Sequence, residues 1–281
     1  MLKSLFGLAP QSEPDGSWRP SKVALMLATS ATTDYAPQNT PRYEGRRRKI
    51  VVLLTEQKNM TMQNGRVFST GNHPVETFVP MLHLQNAGFE FLIATPTGKS
   101  AAFEMWAMPE GDKRVMDLYR ELLPRLSEPS SVAEVLRSLP EQGDEIAAVF
   151  VPGGHGAMLG IPQDEDVGRL LRWAKDEDRF TISICHGPGA LLSTGTGQER
   201  FAYEGYEMAV FPDAMDKKTP MIGYLPGHMP WELCASLKKL DVKIVNQKPD
   251  DTCCVDRKLI TGASPAASNK LGILATAELL R

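Results

Sequence analysis

Long apolar runs are missing from this 281-residue chain. No stretch reaches the ~18 consecutive apolar residues needed to cross a bilayer. The opening MLKSLFGLAP is too short and broken for a secretory apolar region, so a cytoplasmic protein is expected. A charge excess is missing too: a net charge of −3 offers no electrostatic basis for a nucleic-acid or membrane-surface partner. The densest basic run, RRRK at 46–49, abuts an apolar segment and reads as a solvated flank. Cysteine is scarce. The four present, Cys185, Cys234, Cys253 and Cys254, contain no C-x-x-C spacing, which excludes a zinc ribbon and a thioredoxin-type pair. In a reducing compartment they stay free thiols. Cys234 follows helical spacing with Trp231 and Leu237 and reads as core, and Cys253 and Cys254 sit side by side in an apparent strand. Only Cys185 stands where chemistry would place it.

What is present is an alternation. Residues 1–48 are rich in Pro, Ser, Thr, Asp and Asn without a sustained period, and read as an N-terminal arm or wrapping segment. Nearly continuous apolar runs follow at 49–55, 89–95, 146–152 and 180–184, of the kind buried on both faces of a parallel sheet. Between them lie helical patterns. The first, from Pro74 to Gly88, has Val75, Phe78, Val79 and Leu82 on one face, with Pro80 inside it as a kink or an early end. Another spans 164–176, a third 187–194. Residues 96–140 are polar, Pro-bearing and longer than an ordinary connection, and are expected to form an insertion contributing a small cap domain. Strands are expected at 242–246 and within CCVDRKLITG, then a capped C-terminal helix from near Ser264. The fold class is α/β, a parallel-sheet sandwich with a small second domain or cap. In such sheets ligands sit beyond the carboxyl ends of the strands, which gathers His73 and Glu76, Gly153–Gly156, and Cys185–Gly187 at one crevice.

The stretch FTISICHGPGALL carries most of the chemistry. A strand that runs into a cysteine and turns straight into a helix is the strand–turn–helix elbow of nucleophilic enzymes. Small residues must flank such a turn, and Ser183 and Gly187 stand two positions either side of Cys185. A helix N-terminus aimed at the thiol is expected to bring its pKa from ~8.5 into the range ~3.5–7.5. The plainer reading is a small buried residue closing a strand. In VPGGHGAM, Gly153 and Gly154 are placed to offer backbone N–H groups to an oxyanion, although any tight strand exit favours glycine. Glu76 lies in the first turn of its helix, where it serves either as a capping acid or as a proton donor and acceptor facing the thiol.

The motifs ISICHGPGALL and FVPGGHGAM resemble those of the DJ-1/PfpI superfamily, with its flavodoxin-like sandwich and cysteine elbow. FSTGNHPVETFVPMLHLQNAGFEF, FEMWAMP, FPDAMDKKTPMIGYLPGH and KLITGASPAASNKLG are similar to the bacterial Hsp31 (HchA) group, from about residue 49 to the C-terminus. The resemblance implies glutathione-independent glyoxalase III activity, deglycation of protein and nucleotide adducts, and holding-chaperone behaviour. It implies Cys185 as nucleophile, His186 as base, Asp213 as the residue orienting His186, Glu76 as proton shuttle, and the N–H groups of Gly154 and His186 as oxyanion donors. Some members of the group carry a His-Glu-His metal site. The corresponding positions here are Gln85, Glu90 and Leu122, a poor transition-metal set. His83, and the His73/Glu76 spacing, are the remaining candidates, and no metal is expected.

The expected reaction is addition of the Cys185 thiolate to an α-oxoaldehyde such as methylglyoxal, proton transfer between the two carbons, and hydrolysis to lactate, without a cofactor. Expected partners are that small substrate and glycated or unfolded proteins, with no membrane, and a homodimer is the expected assembly. Rival readings are a holdase that survives loss of Cys185, a PfpI-like cysteine peptidase, and a redox sensor.

Overall fold

The computed structural model describes residues 6–198 and 200–281; the first five residues of the arm lie outside them. In chain order the strands are β1 (Gln11–Ser12), β2 (Trp18–Arg19), β3 (Lys49–Leu53), β4 (Asn59–Thr61), β5 (Val67–Ser69), β6 (Glu90–Thr95), β7 (Ser130–Ser131), β8 (Ile146–Val151), β9 (Phe180–Ile184), β10 (Glu207–Met208), β11 (Lys243–Ile244), β12 (Cys253–Asp256) and β13 (Leu259–Gly262). The helices are α1 (Lys22–Ala28), α2 (Pro74–Asn86), α3 (Lys113–Ser127), α4 (Val132–Gln142), α5 (Glu165–Asp176), α6 (Asp213–Asp216), α7 (Leu233–Lys238) and α8 (Ser268–Leu279).

Seven strands form the main sheet in the order β12-β13-β9-β8-β3-β6-β7. Every neighbouring pair is parallel except the β12–β13 hairpin at one edge. Alternate residues of β3 and β8 feed two separate cores. Val51, Leu53, Val149 and Val151 pack beneath α4 and α5, while Ile50, Val52, Ala148 and Phe150 pack beneath α2, α3 and α8. That is why these strands read as unbroken apolar runs: both faces are covered. Without the two-residue edge strand β7, the central order is that of a flavodoxin-like sheet, which reverses direction between β3 and β8.

Residues 96–140, expected as a capping insertion, instead complete the sandwich. α3 packs beside α2, β7 extends the sheet beyond β6, and α4 packs beside α5. The apolar stripe Val115, Leu118, Leu122 and Leu126 is wholly buried on one side of α3, and its many outward charges made the segment look like surface. The small accessory layer comes from elsewhere. β1 and β2 of the arm join the β4–β5 hairpin in a four-stranded sheet of order β1-β2-β5-β4, with Trp18 paired to Phe68. Ser21 caps α1 and donates its hydroxyl to the Ile222 carbonyl (2.7 Å), which fastens the arm over the carboxyl ends of the main strands. Pro80 lies inside α2 without ending it. The expected strand at 242–246 is only the short β11, paired with β10 outside the main sheet.

Phe78 of α2 is fully buried and its ring stacks on Phe103 at 5.4 Å and meets Tyr119 at 5.6 Å. Phe78→Ala should cost about 3–5 kcal/mol of unfolding free energy, measured by urea denaturation. A loss below about 1 kcal/mol would mean that this aromatic cluster does not lock α2 to α3.

Candidate active site

The carboxyl ends of β8 and β9 and the first turn of α2 meet at the point where the sheet order reverses. β9 ends at Ile184, and Cys185 follows with φ 59°, a left-handed conformation that a non-glycine residue adopts at a cost of about 1–3 kcal/mol. The turn is held from both sides: the Cys185 N–H donates to the Gly262 carbonyl (2.8 Å), and its carbonyl accepts from Phe211 N–H (3.0 Å). Ser183 donates its hydroxyl to the Val151 carbonyl (2.9 Å). A Cβ on Gly187 would lie 2.5 Å from both that hydroxyl and that carbonyl. The small residues flanking the elbow are thus required by the neighbouring strand.

Gly153 is required by the packing of Glu76 against Cys185, since a Cβ there would clash with a Glu76 carboxylate oxygen and fall 2.7 Å from Cys185 Cβ. The absent side chain lets the Glu76 carboxyl lie against the thiol. Glu76 is completely buried. Neither of its oxygens has a hydrogen-bond partner of good geometry, although the Cys185 thiol and the Gly154 N–H lie near enough to draw its pKa downward. Burial dominates and pushes Glu76 up to about 8. Burial and the neighbouring Glu76 charge also push the Cys185 thiol upward, opposite to the depressed value expected from the sequence. The helix meant to stabilise the thiolate is a 3-10 helix over Gly187–Gly195. Both groups therefore stay neutral below about pH 8, and once the pair loses a proton a thiolate forms only when Glu76 holds the one that remains.

A buried chain of polar groups runs away from the thiol. Cys185 Sγ is 3.2 Å from His186 Nδ1, and His186 Nε2 is 2.9 Å from Asp216 Oδ2. Asp216 Oδ1 reaches His155 Nε2 at 3.2 Å, and His155 Nδ1 faces Glu104 at 3.8 Å. The His186 ring is packed between Phe211 (4.7 Å) and His155 (4.1 Å). Burial opposes charge on His155, but its hydrogen bonds to Asp216 and Glu104 prevail and raise it to about 10. Burial and that adjacent imidazolium hold His186 below its ordinary value, leaving it neutral and able to accept a proton from the thiol. Burial would raise Asp216, yet the two imidazoles keep it well below the carboxylate range.

Asp213 does not reach His186. Its carboxylate accepts from the backbone N–H groups of Cys234 and Ala235, 2.9 Å each, and closes the first turn of α7. Asp213 and Asp216 stand three residues apart on the one-turn helix α6, and FPDAMD offers both at once. His155, beside the glycine turn, and Glu104, inside the FEMWAMP motif, were not among the expected site residues. The positions matching the family's metal site do not form one. Gln85 hydrogen-bonds to Glu121, Leu122 is core, and Glu90 shares a surface cleft with Arg42, Arg48 and Arg125. His83 binds Asn269 instead (2.8 Å). Among the described residues, the group close enough to share a cation is His155, His186 and Asp216, already joined by hydrogen bonds.

Above Cys185 and Glu76 opens a cavity of about 480 Å³ whose upper walls are Leu27, Phe211, Met215, Ile222, Tyr224 and Pro265. No lysine or arginine lines it among the described residues.

Residues 67–210 match the model of the DJ-1/PfpI family, and the chain belongs to that family. It is 43% identical over 266 residues, 95% of this chain and 93% of the relative, to the protein/nucleic acid deglycase HchA of Escherichia coli O157:H7. The same figures hold for protein/nucleic acid deglycase 1 of Escherichia coli strain K12. Among solved structures, a glyoxalase III from Candida albicans shares the fold with a TM-score of 0.64 at 18% identity, covering 82% of this chain and 96% of that one. A rapid encystment protein of Francisella tularensis reaches 0.71 at 16% identity, covering 83% and 100%. No helix among the described residues is long and apolar enough to cross a membrane.

Glu76 releases its proton near 4.5 in the unfolded chain and near 8 in the folded one. Across that window the native state holds the extra proton, so stability falls as pH rises, by about 1.4 kcal/mol per unit. Glu76→Gln removes this slope. Urea midpoints of the wild type should drop relative to the variant from about pH 5 to 8, and parallel curves would show that Glu76 is not a buried neutral acid.

Proposed function

We propose that this protein is a glutathione-independent glyoxalase that converts methylglyoxal to lactate, and that the same thiol removes early aldehyde adducts from proteins and nucleotides. The observation that carries this reading is the Glu76 carboxyl lying against the Cys185 thiol across the side-chain-free Gly153. The names of the curated relatives and of the Candida structure support the same chemistry.

The reacting state is the minor tautomer of the singly deprotonated pair, with the negative charge on sulfur and the proton on Glu76. Sulfur adds to the aldehyde carbon, and the carbonyl oxygen takes the Glu76 proton, giving a neutral hemithioacetal and a carboxylate. N–H groups of the Gly153–Gly154 turn and of His186 steady the oxygen as charge develops. Glu76 then removes the hydrogen from that carbon and returns it to the neighbouring carbon through an enediol. One carbon is oxidised and the other reduced, so the product is a thioester of the 2-hydroxy acid. Water, activated by the neutral His186 that Asp216 orients, hydrolyses it and restores the thiolate. The reacting end of the substrate is an uncharged carbonyl: among the described residues no guanidinium or ammonium lines the cavity. Cys185 at 4% exposure sits too deep for an unmodified polypeptide backbone, which disfavours the peptidase reading.

A second reading, a holding chaperone, draws on Met26, Leu27 and Met221, which are 74%, 69% and 67% exposed around the cavity mouth. Such apolar rims bind unfolded chains, and this activity should survive loss of the thiol.

Wild type should form lactate from methylglyoxal without glutathione, and Cys185→Ala and Glu76→Gln should each lose at least about 100-fold in kcat/KM. An inert wild type ends the glyoxalase reading. Asp216→Asn should lower turnover by a similar factor, whereas Asp213→Ala should keep turnover and lose about 0.5–2 kcal/mol of stability through the α7 cap. The reverse pattern would restore Asp213 as the partner of His186.

A further inference from the structure

His73 has no role in the chemistry above, yet its ring borders the same cavity as Cys185 and Glu76. Its backbone is tied on both sides. The N–H donates to Gly153 O (2.9 Å), and the carbonyl accepts from the N–H and hydroxyl of Thr77, 3.0 Å each. His73 occupies the cap position of α2, but its side chain makes no capping bond. The residue is 6% exposed, and Nδ1 is buried without a hydrogen-bond partner. A histidine kept for packing finds a partner, as His83 does in Asn269 at 2.8 Å on the same helix. A buried ring nitrogen without a partner is destabilising unless something else meets it. Both Glu76 oxygens and one Glu104 oxygen are also unpaired at this cavity. Such a set calls for a ligand with polar atoms on adjacent centres.

We infer that His73 is a catalytic residue whose Nδ1–H donates to the second, ketone oxygen of the α-oxoaldehyde. This rests on the glyoxalase reading and adds the one element that reading lacks. When Glu76 takes the hydrogen from the sulfur-bearing carbon, that electron pair becomes the carbon–carbon double bond, and the ketone π pair moves onto the ketone oxygen. Charge develops there, beyond the backbone donors that serve the first oxygen. His73 precedes Glu76 by three residues at the start of one helix, so the two side chains stand on adjacent turns and address neighbouring atoms. Burial first, then the charge on His155, keep His73 neutral, and a neutral imidazole polarises a carbonyl without donating its proton outright. The proton that ends on the ketone oxygen is the hydroxyl proton released at the first carbon as the thioester forms, so the ring is unchanged over the cycle.

The test compares wild type, His73→Leu and His73→Asn, with methylglyoxal turnover and iodoacetamide alkylation of Cys185 as readouts. The Asn amide places a donor near the position of Nδ1. Expected are a loss of about 100- to 1,000-fold in kcat for His73→Leu, recovery of at least about tenfold in His73→Asn, and alkylation within about twofold of wild type for both. Turnover of His73→Leu within about threefold of an active wild type overturns the role of His73 and leaves the glyoxalase reading standing. Equal loss in both variants with altered alkylation assigns His73 to structure and overturns the role as well. A wild type inert toward methylglyoxal refutes both readings.

Discussion

Two backbone turns meet at the foot of the cavity with no space for a side chain between them. The exit of β8 passes so close to the elbow after β9 that Gly153 and Gly187 cannot carry a Cβ. That contact presses a buried carboxyl against a buried thiol. Burial then favours the neutral form of each group, and their mutual repulsion forbids two charges. Near neutral pH each keeps its proton, and once the pair has lost one, the remaining proton and the single negative charge can move between sulfur and oxygen. The strained φ at Cys185 is tolerated because the sheet holds the residue on both sides, through Gly262 and Phe211.

The second consequence is electrostatic. A buried imidazolium at His155 would be untenable alone, but Glu104 and Asp216 flank it and it neutralises much of their charge. Burial first, and then this positive charge across rings 4.1 Å apart, hold His186 below its ordinary value, which keeps that imidazole neutral beside the thiol. Glu104 comes from the 96–112 loop, His155 from the β8 exit and Asp216 from α6, so three distant chain segments converge to set the protonation of one base. Thr70, from the end of the accessory hairpin, adds a hydroxyl to Glu104 at 2.7 Å.

The accessory layer belongs to the same design. The β4–β5 hairpin leaves the main sheet after β3 and returns just before α2, so it stands beside the site by connectivity alone. Arm strand β2 pairs with it, and α1 then lays Leu27 and Ala28 along the cavity. The arm therefore sets the width and apolar character of the entrance, although it supplies none of the reacting groups.

Much of this was legible in the sequence, because the interactions concerned are local. Apolar runs report strands covered on both faces, the Ser183-x-Cys185-x-Gly187 pattern reports a tight elbow, and Pro74 with Glu76 reports a helix start beyond the same sheet edge. Misreadings arose where distance along the chain separates partners. Asp213 and Asp216 are equivalent on paper, and only the packing of α6 against α7 sends one to a helix cap and the other to His186. The polar look of 96–140 hid two amphipathic helices whose apolar stripes find the sheet only after folding. The thiol's acidity depends on its burial and on a carboxyl brought from 109 positions earlier in the chain. Sequence alone determined the main strands, the elbow and the cysteine at its tip, since steric pattern is written locally. Tertiary structure decided the protonation, the orienting acid and the unpaired ring of His73, since dielectric and proximity exist only once the chain has closed on itself.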